Sequence, residues 1–208
     1  MIRAKTFDDL FVNIIHELND LGKKYKPRDQ ETIELMNAHL VLENPKAAIL
    51  TNPHRKLSKK YVGAEILWYL EGSRSIKNIH KYAKMWNAIA DIQGNVNSCY
   101  GWQIFTQPIP GIQSNQWEYV IDSLRNDKDS RQAVLNINQP IHKYKTKDVP
   151  CTIAIQYLIR NNKLHCITTM RSCDVIFGLG NDIPFFTYLQ IKLLAALRYK
   201  YKDLELGT

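Results

Sequence analysis

Two β-rich runs, Thr152–Ile159 and Leu164–Met170, stand four residues apart with Asn161-Asn162 between them. Asparagine tolerates left-handed backbone, so this spacing predicts a tight antiparallel hairpin. A third β-rich run, Gln132–Ile137, precedes the pair, and Phe185–Tyr199 follows it as a long apolar helix. The helical period appears at the other end of the chain as well. Within Phe7–Leu21 the residues Leu10, Phe11, Ile14, Ile15 and Leu18 recur at spacings of three and four, ended by Gly22 and a basic run. Strands interleaved with helices in this way predict an α+β fold, a mixed sheet covered by helices.

Between these landmarks, Lys23–Gln30 reads as a polar loop, Thr32–Leu42 as one strand closed by Asn44-Pro45, and 46–60 as a basic surface loop. Tyr61–Glu71 reads as a buried helix ended by Gly72. Ser75–Ile89 carries a stripe of Ile76, Ile79, Tyr82, Ala83, Trp86 and Ile89, which predicts a further helix. Residues 91–115 read mostly as loop, and Trp117–Leu124 as a helix stopped at Asn126-Asp127.

With 208 residues, 45% hydrophobic and 23% charged, the chain suits a single domain spanning 1–208 and excludes intrinsic disorder. Its apolar stretches fall short of the roughly 20 residues that cross a bilayer, and Asp8 and Asp9 interrupt any secretory core, so a soluble cytoplasmic protein is expected. Cys99, Cys151, Cys166 and Cys173 form no metal-binding spacing; free thiols and no metal site are expected. The net charge of +8 favours anionic partners: nucleic acid, through basic-aromatic stretches such as Lys77–Trp86, a phosphorylated metabolite, or an acidic membrane surface.

Individual residues carry sharper readings. Cys151 follows Pro150 at a strand start, near the basic stretches Lys143–Lys147 and Arg171; it is either an activated thiolate or a buried thiol. Glu65 inside an apolar helix must be paired, bonded or neutralised, which makes it an acid/base candidate unless it faces out. Arg171-Ser172-Cys173-Asp174 follows a strand and can offer a guanidinium fork and a hydroxyl to a phosphate, or form a surface ion pair. Asn181-Asp182 reads as an N-cap, and Trp68, Trp86 and Trp102 as core or as stacking platforms.

The order of several segments resembles the thymidylate synthase superfamily: Glu65-Ile-Leu-Trp-Tyr-Leu-Glu-Gly72, Met85-Trp86, Asn97-Ser-Cys-Tyr100-Gly101, Asn126-Asp-Lys-Asp-Ser130-Arg131, Pro150-Cys151, Gln156, and Arg171-Ser-Cys-Asp174-Val-Ile-Phe-Gly178-Leu. The resemblance implies a thymidylate synthase-like fold that dimerises through its sheet. It also implies transfer of a one-carbon unit from 5,10-methylenetetrahydrofolate, a cosubstrate, to C5 of a pyrimidine nucleotide. Cys151 is then the thiolate that adds to C6, because C5 alone is too weak a nucleophile. Arg171, Ser172, Arg131 and Arg28 bind the phosphate, with Arg171 favouring the thiolate and Arg131 reaching in from a partner subunit. Glu65 and Tyr100 move protons, Gln156 contacts the base, and Trp86 and Asp174 meet the folate.

Aligned on Gly178-Leu179, the position where thymidylate synthases carry a base-reading Asn falls to Asp182; Asn181 is the alternative. A carboxyl that accepts from cytosine N4 and, when protonated, donates to N3 suits a cytidylate. With Thr152 after the cysteine, this resembles the phage deoxycytidylate hydroxymethylase branch and implies hydroxymethylation of dCMP, with dUMP methylation as the rival. Three departures stand out. Arg131 is followed by Gln132 where the family has a second arginine, Arg28 aligns only across a gap, and the family's segment beyond Leu204–Thr208, which carries a sugar-binding His-x-Tyr and a C-terminal tail, is not in this sequence. That last departure also raises an inactive remnant as an expectation beside the enzyme.

Overall fold

The computed structural model describes residues 1–144 and 146–208. In chain order the elements are β1 (Ile2–Ala4), α1 (Phe7–Leu21), β2 (Lys23–Tyr25), β3 (Thr32–Glu34), β4 (Leu40–Leu42), α2 (Lys59–Leu70), α3 (Met85–Ile89), a π turn (Trp102–Thr106), α4 (Gln116–Asn126), β5 (Val134–Asn136), β6 (Thr152–Arg160), β7 (Lys163–Met170), α5 (Leu179–Leu197) and β8 (Glu205–Leu206). The expected hairpin is the centre of the molecule. β6 and β7 pair antiparallel across Asn161 and Asn162, both left-handed at φ 51° and 57°. β5 flanks β6 antiparallel and β8 flanks β7 parallel, giving the sheet order β5-β6-β7-β8.

One face of this sheet is packed and the other open. Leu135, Ile155, Tyr157, Ile159 and Leu164 are fully buried beneath Phe185, Leu189, Leu193 and Leu197 of α5. Ala154, Gln156 and Leu158 alternate to the other side, opposite Thr169, Ile167 and His165 of β7, and Ile167 is 49% exposed there. A second, smaller core gathers Ile2, Phe7, Leu10, Phe11, Ile14, Leu50 and Leu179, so α1 is pinned to the start of α5.

Four expected elements are corrected. Thr32–Leu42 is not one strand: Asn37 at φ 54° turns the chain, leaving β3 to pair with β2, which lies inside the predicted Lys23–Gln30 loop, and β4 to pair with β1. Ser75–Ile89 is helical over α3 alone. Arg74 and Ile76 pair their backbone with Val96 and Gly94, which takes the donors and acceptors a longer helix would need. Residues 91–115 are mostly loop, as expected, and carry the π turn. The final helix starts at Leu179, before Pro184, and forgoes the bond that Pro184 cannot donate to Gly180. Asn181 and Asp182 therefore lie within its first turns and are not its N-cap, which is Gly178.

The approach of α2 to the segment before the π turn depends on a missing side chain. A Cβ on Gly101 would lie 1.6 Å from the Tyr69 carbonyl oxygen, a backbone atom that cannot give way. Gly63, midway along the same helix, faces open space. Gly101→Ala is expected to lose roughly 3 kcal/mol in urea unfolding, whereas Gly63→Ala gains about 0.5 kcal/mol.

Candidate active site

Cys151 stands where β6 begins, and the chain leaving β7 returns beside it: the Arg171 N–H donates to the Cys151 carbonyl at 2.9 Å. The Arg171 side chain folds back over this junction. Its Nε donates to the Pro150 carbonyl at 3.1 Å, Nη2 to the Val149 carbonyl at 2.6 Å, and Nη1 to Ser172 Oγ at 3.2 Å. Nη2 also lies 3.6 Å from Cys151 Sγ, and Ser172 Oγ 3.7 Å from it. Among the described residues no carboxylate forms an ion pair with Arg171; the three salt bridges lie elsewhere on the surface. An exposed guanidinium, a hydroxyl and a thiol thus converge with the positive charge left for an anion from outside.

All four cysteines are free. Burial pushes the Cys99, Cys166 and Cys173 thiols up to about 12, which keeps them protonated. Cys151 is the thiol with a guanidinium at its sulfur. Lys145 of the basic stretch Lys143–Lys147 lies outside the described residues.

A second group of titratable side chains comes from α2, α5 and the segment before the π turn. Glu65 is 7% exposed and accepts from the Tyr61 hydroxyl at 2.8 Å. Burial raises its carboxyl to about 8, against the Tyr61 hydrogen bond and with the charge of Asp182. Asp182 rises to about 7, from burial first and the Asp174 charge second. Tyr100 is 5% exposed and stacks on Tyr69 with ring centroids 5.3 Å apart. Burial, then the negative charges of Asp182 and Cys151, drive its hydroxyl well above the ordinary value. Cys151, Tyr100, Asp182 and Glu65 therefore share one electrostatic neighbourhood.

The other expected site residues make contacts of their own. Asp174 accepts from the Ile176 and Phe177 N–H groups at 2.8 and 2.7 Å, closing the turn that launches α5. Trp86 is 4% exposed, edge-on to Trp68, with its indole N–H on the Tyr61 hydroxyl at 3.0 Å; a core position, not an open stacking face. Asn181 turns its amide back to the Phe177 carbonyl at 2.9 Å and leaves its Oδ1 buried without a partner. Gln156 spends its amide on the Arg131 carbonyl at 3.0 Å. Arg131 and Arg28 are exposed, Arg28 on the turn Pro27–Asp29 at φ 50°, and neither bonds to the Cys151 cluster within the protomer.

Two contributors were not singled out from sequence. Tyr61, one helical turn before Glu65, joins Trp86 to that carboxylate, and the i, i+4 spacing was its signal. Asp148 is 5% exposed and accepts from the Asn97 N–H at 2.6 Å, the Ser98 N–H at 2.7 Å and the Ser98 hydroxyl, holding the segment that carries Tyr100. Lacking any local pattern, Asp148 had no such signal.

Glu65 and Asp182 titrate higher in the folded chain than the usual value of about 4. The folded state then holds protons that the unfolded chain has released, so stability is full below about pH 4 and is lost as pH rises toward 8. Urea unfolding is expected to show a fall of roughly 1 kcal/mol per pH unit from each group. Glu65→Gln should flatten that slope.

Comparison with known proteins identifies the family. Residues 6–207 match the family model described as thymidylate synthase. The deoxycytidylate 5-hydroxymethyltransferases of Enterobacteria phages T4, T2 and T6 are each 31% identical over 173 residues, covering 80% of this chain and 66% of the relative. The chain thus spans about two thirds of the length of these relatives. The fold superposes on a thermostable thymidylate synthase A from Bacillus subtilis with a TM-score of 0.70 at 20% identity, over 97% of this chain and 76% of that one. Among the described residues no helix is long and apolar enough to cross a membrane, and no group of acidic, histidine and cysteine side chains could hold a metal. With nearly its whole length matched by the family model, the chain belongs to the thymidylate synthase family.

Proposed function

We propose that the protein hydroxymethylates dCMP at C5, taking its one-carbon unit from 5,10-methylenetetrahydrofolate. The observation that carries this reading is the convergence of Arg171 and Ser172 on the Cys151 sulfur, with no carboxylate among the described residues bound to the guanidinium. A nucleotide 5′-phosphate seated there on Arg171 and Ser172 holds the pyrimidine beside Sγ. Cys151 adds to C6, forming an S–C6 bond and moving the C5–C6 π electrons onto C5. The folate, when bound, supplies an electrophilic methylene to that carbon and leaves as tetrahydrofolate. In this reading Tyr100 and Glu65 take up the C5 proton. Water then adds to the exocyclic methylene as the S–C6 bond breaks, giving 5-hydroxymethyl-dCMP and the free thiol.

Asp182 supports cytosine over uracil. Its carboxyl is held near 7 by burial and Asp174, so the protonated form that donates to N3 while accepting from N4 is populated at neutral pH. Phe177 and Arg55, beside the turn built on Asp174, suit a flat, anionic cosubstrate. Phe177 is 73% exposed, and the Arg55 guanidinium, bonded to the Ile176 carbonyl, lies 5.9 Å from the centre of its ring. Such a surface offers apolar contact to a ring and a cation to a carboxylate. The 31% identity to phage deoxycytidylate 5-hydroxymethyltransferases favours the same substrate. The match of residues 6–207 to the thymidylate synthase model keeps dUMP methylation as the second reading.

The open face of the β6–β7 hairpin gives a second copy of the chain a place to pack, as the family resemblance implies. Arg131 is anchored by its carbonyl to Gln156 on that face, and its exposed side chain is free to enter the neighbour's Cys151 pocket. Ile167→Lys is expected to shift sedimentation to the monomer and to lower activity in the same preparations.

Release of tritium from C5 of labelled dCMP and dUMP, with methylenetetrahydrofolate present, tests the reaction. Release from dCMP, absent in Cys151→Ala, is the expected result, with 5-hydroxymethyl-dCMP and tetrahydrofolate as products. Asp182→Asn should move the preference toward dUMP by about 100-fold in kcat/KM. Release from dUMP alone by the unsubstituted protein would sink the cytidylate assignment.

A further inference from the structure

Tyr61 lies one turn before Glu65 on α2, and its hydroxyl is held between two fixed partners. Trp86 Nε1 stands 3.0 Å from the hydroxyl oxygen, and that hydroxyl reaches Glu65 Oε1 at 2.8 Å. An indole N–H donates and cannot accept, so the chemistry sets the direction of this chain. Trp86 occupies a lone pair of the Tyr61 oxygen, and the phenolic hydrogen goes to Glu65. The ring that supplies the first donor is itself locked, with Trp86 edge-on to Trp68 at a centroid distance of 4.9 Å and 64° between planes.

One oxygen of Glu65 is therefore committed as an acceptor. A proton placed on Oε1 would meet the Tyr61 hydrogen head-on, so the acid form must carry its proton on Oε2. We infer that Tyr61 is a positioning residue that fixes which oxygen of Glu65 holds the proton, so that the group exchanges protons through Oε2 alone. Its bearing on catalysis rests on the reading of Glu65 as a proton-moving group at the pyrimidine ring.

The surroundings fit this role. The titratable groups that face Glu65 are Tyr61 and Tyr69 on its own helix, Cys99 on the segment before the π turn, and Asp182 on α5. Tyr61, Tyr69 and Cys99 are all pushed upward by burial and stay protonated, and Asp182 opposes a second negative charge nearby. The Tyr61 hydroxyl is the neighbour whose hydrogen bond favours the Glu65 carboxylate.

The test reads Glu65 directly, without substrate. Infrared difference spectra of the full chain across about pH 5 to 10 give the protonated carboxyl band, assigned by its loss in Glu65→Gln. In Tyr61→Phe, which keeps the ring and removes the hydroxyl, the midpoint is expected to rise by about one pH unit, a tenfold tighter hold on the proton. The carbonyl frequency should rise as well, because Oε1 no longer accepts a hydrogen bond. Trp86→Phe removes the first donor and should move both readouts the same way by a smaller amount, which keeps the test available should Tyr61→Phe fold poorly.

A folded Tyr61→Phe protein with unchanged midpoint and band position would overturn the inference. In tritium release the kcat limb assigned to Glu65 should follow the infrared midpoint while KM stays within about twofold. If the infrared shift is present but the unsubstituted protein releases no tritium from either nucleotide, the proposed reaction falls and the Tyr61 assignment stands.

Discussion

A guanidinium held by main-chain carbonyls, with no carboxylate partner among the described residues, is the interaction on which this molecule turns. Arg171 ties the carbonyls of Val149 and Pro150 to the end of β7, so the entry to β6 and the exit from β7 close on one point. Neutral carbonyls fix the side chain in place without cancelling its charge, which an aspartate in their position would do. The same bonds that complete the sheet therefore leave an unspent cation next to Cys151 and Ser172. A change at Arg171 therefore disturbs the strand junction as well as the surroundings of Cys151.

The second theme is burial of acids. Glu65 and Asp182 sit where water is scarce and are held above the usual carboxylate range, Asp182 also by Asp174. In a protein selected for stability alone such positions would be apolar or paired with a base. Here the partners are tyrosines, a cysteine and another acid, groups that accept or deliver protons and bring no compensating positive charge. That cost in stability sets these two carboxyls apart from the rest of the interior.

Much of this was legible in the chain itself. The hairpin could be read because Asn161-Asn162 is a local signal, and the α1 and α2 regions because their apolar residues recur at helical spacing. Cys151, Glu65, Arg171 and Asp182 could be placed because segments in a fixed order resemble a known family. What stayed hidden depends on contacts between distant parts of the chain. The pairing of Arg74 and Ile76 with Val96 and Gly94 suppresses a helix that the apolar stripe predicts. Asp148 reaches back some 50 residues to hold Asn97 and Ser98. The true start of α5 is set by the turn built on Asp174, which begins the helix ahead of Pro184. Trp86 looked like a ligand platform because aromatic residues give no local sign of which ring face will be covered.

One irregularity in β6 sets how these parts face one another. Thr152 pairs with Met170 and Ala154 with Thr169, so Ile153 is an extra residue in its strand. The insertion changes the parity of the alternation. Even-numbered residues from Ala154 onward point to the open face, yet Thr152, also even, is fully buried. The first residues of β6 are thus decoupled from the face that the rest of the strand presents, and site and open surface can vary in sequence independently. Excising Ile153 would restore a regular ladder in which Thr152, now directly before Ala154, still faces the interior.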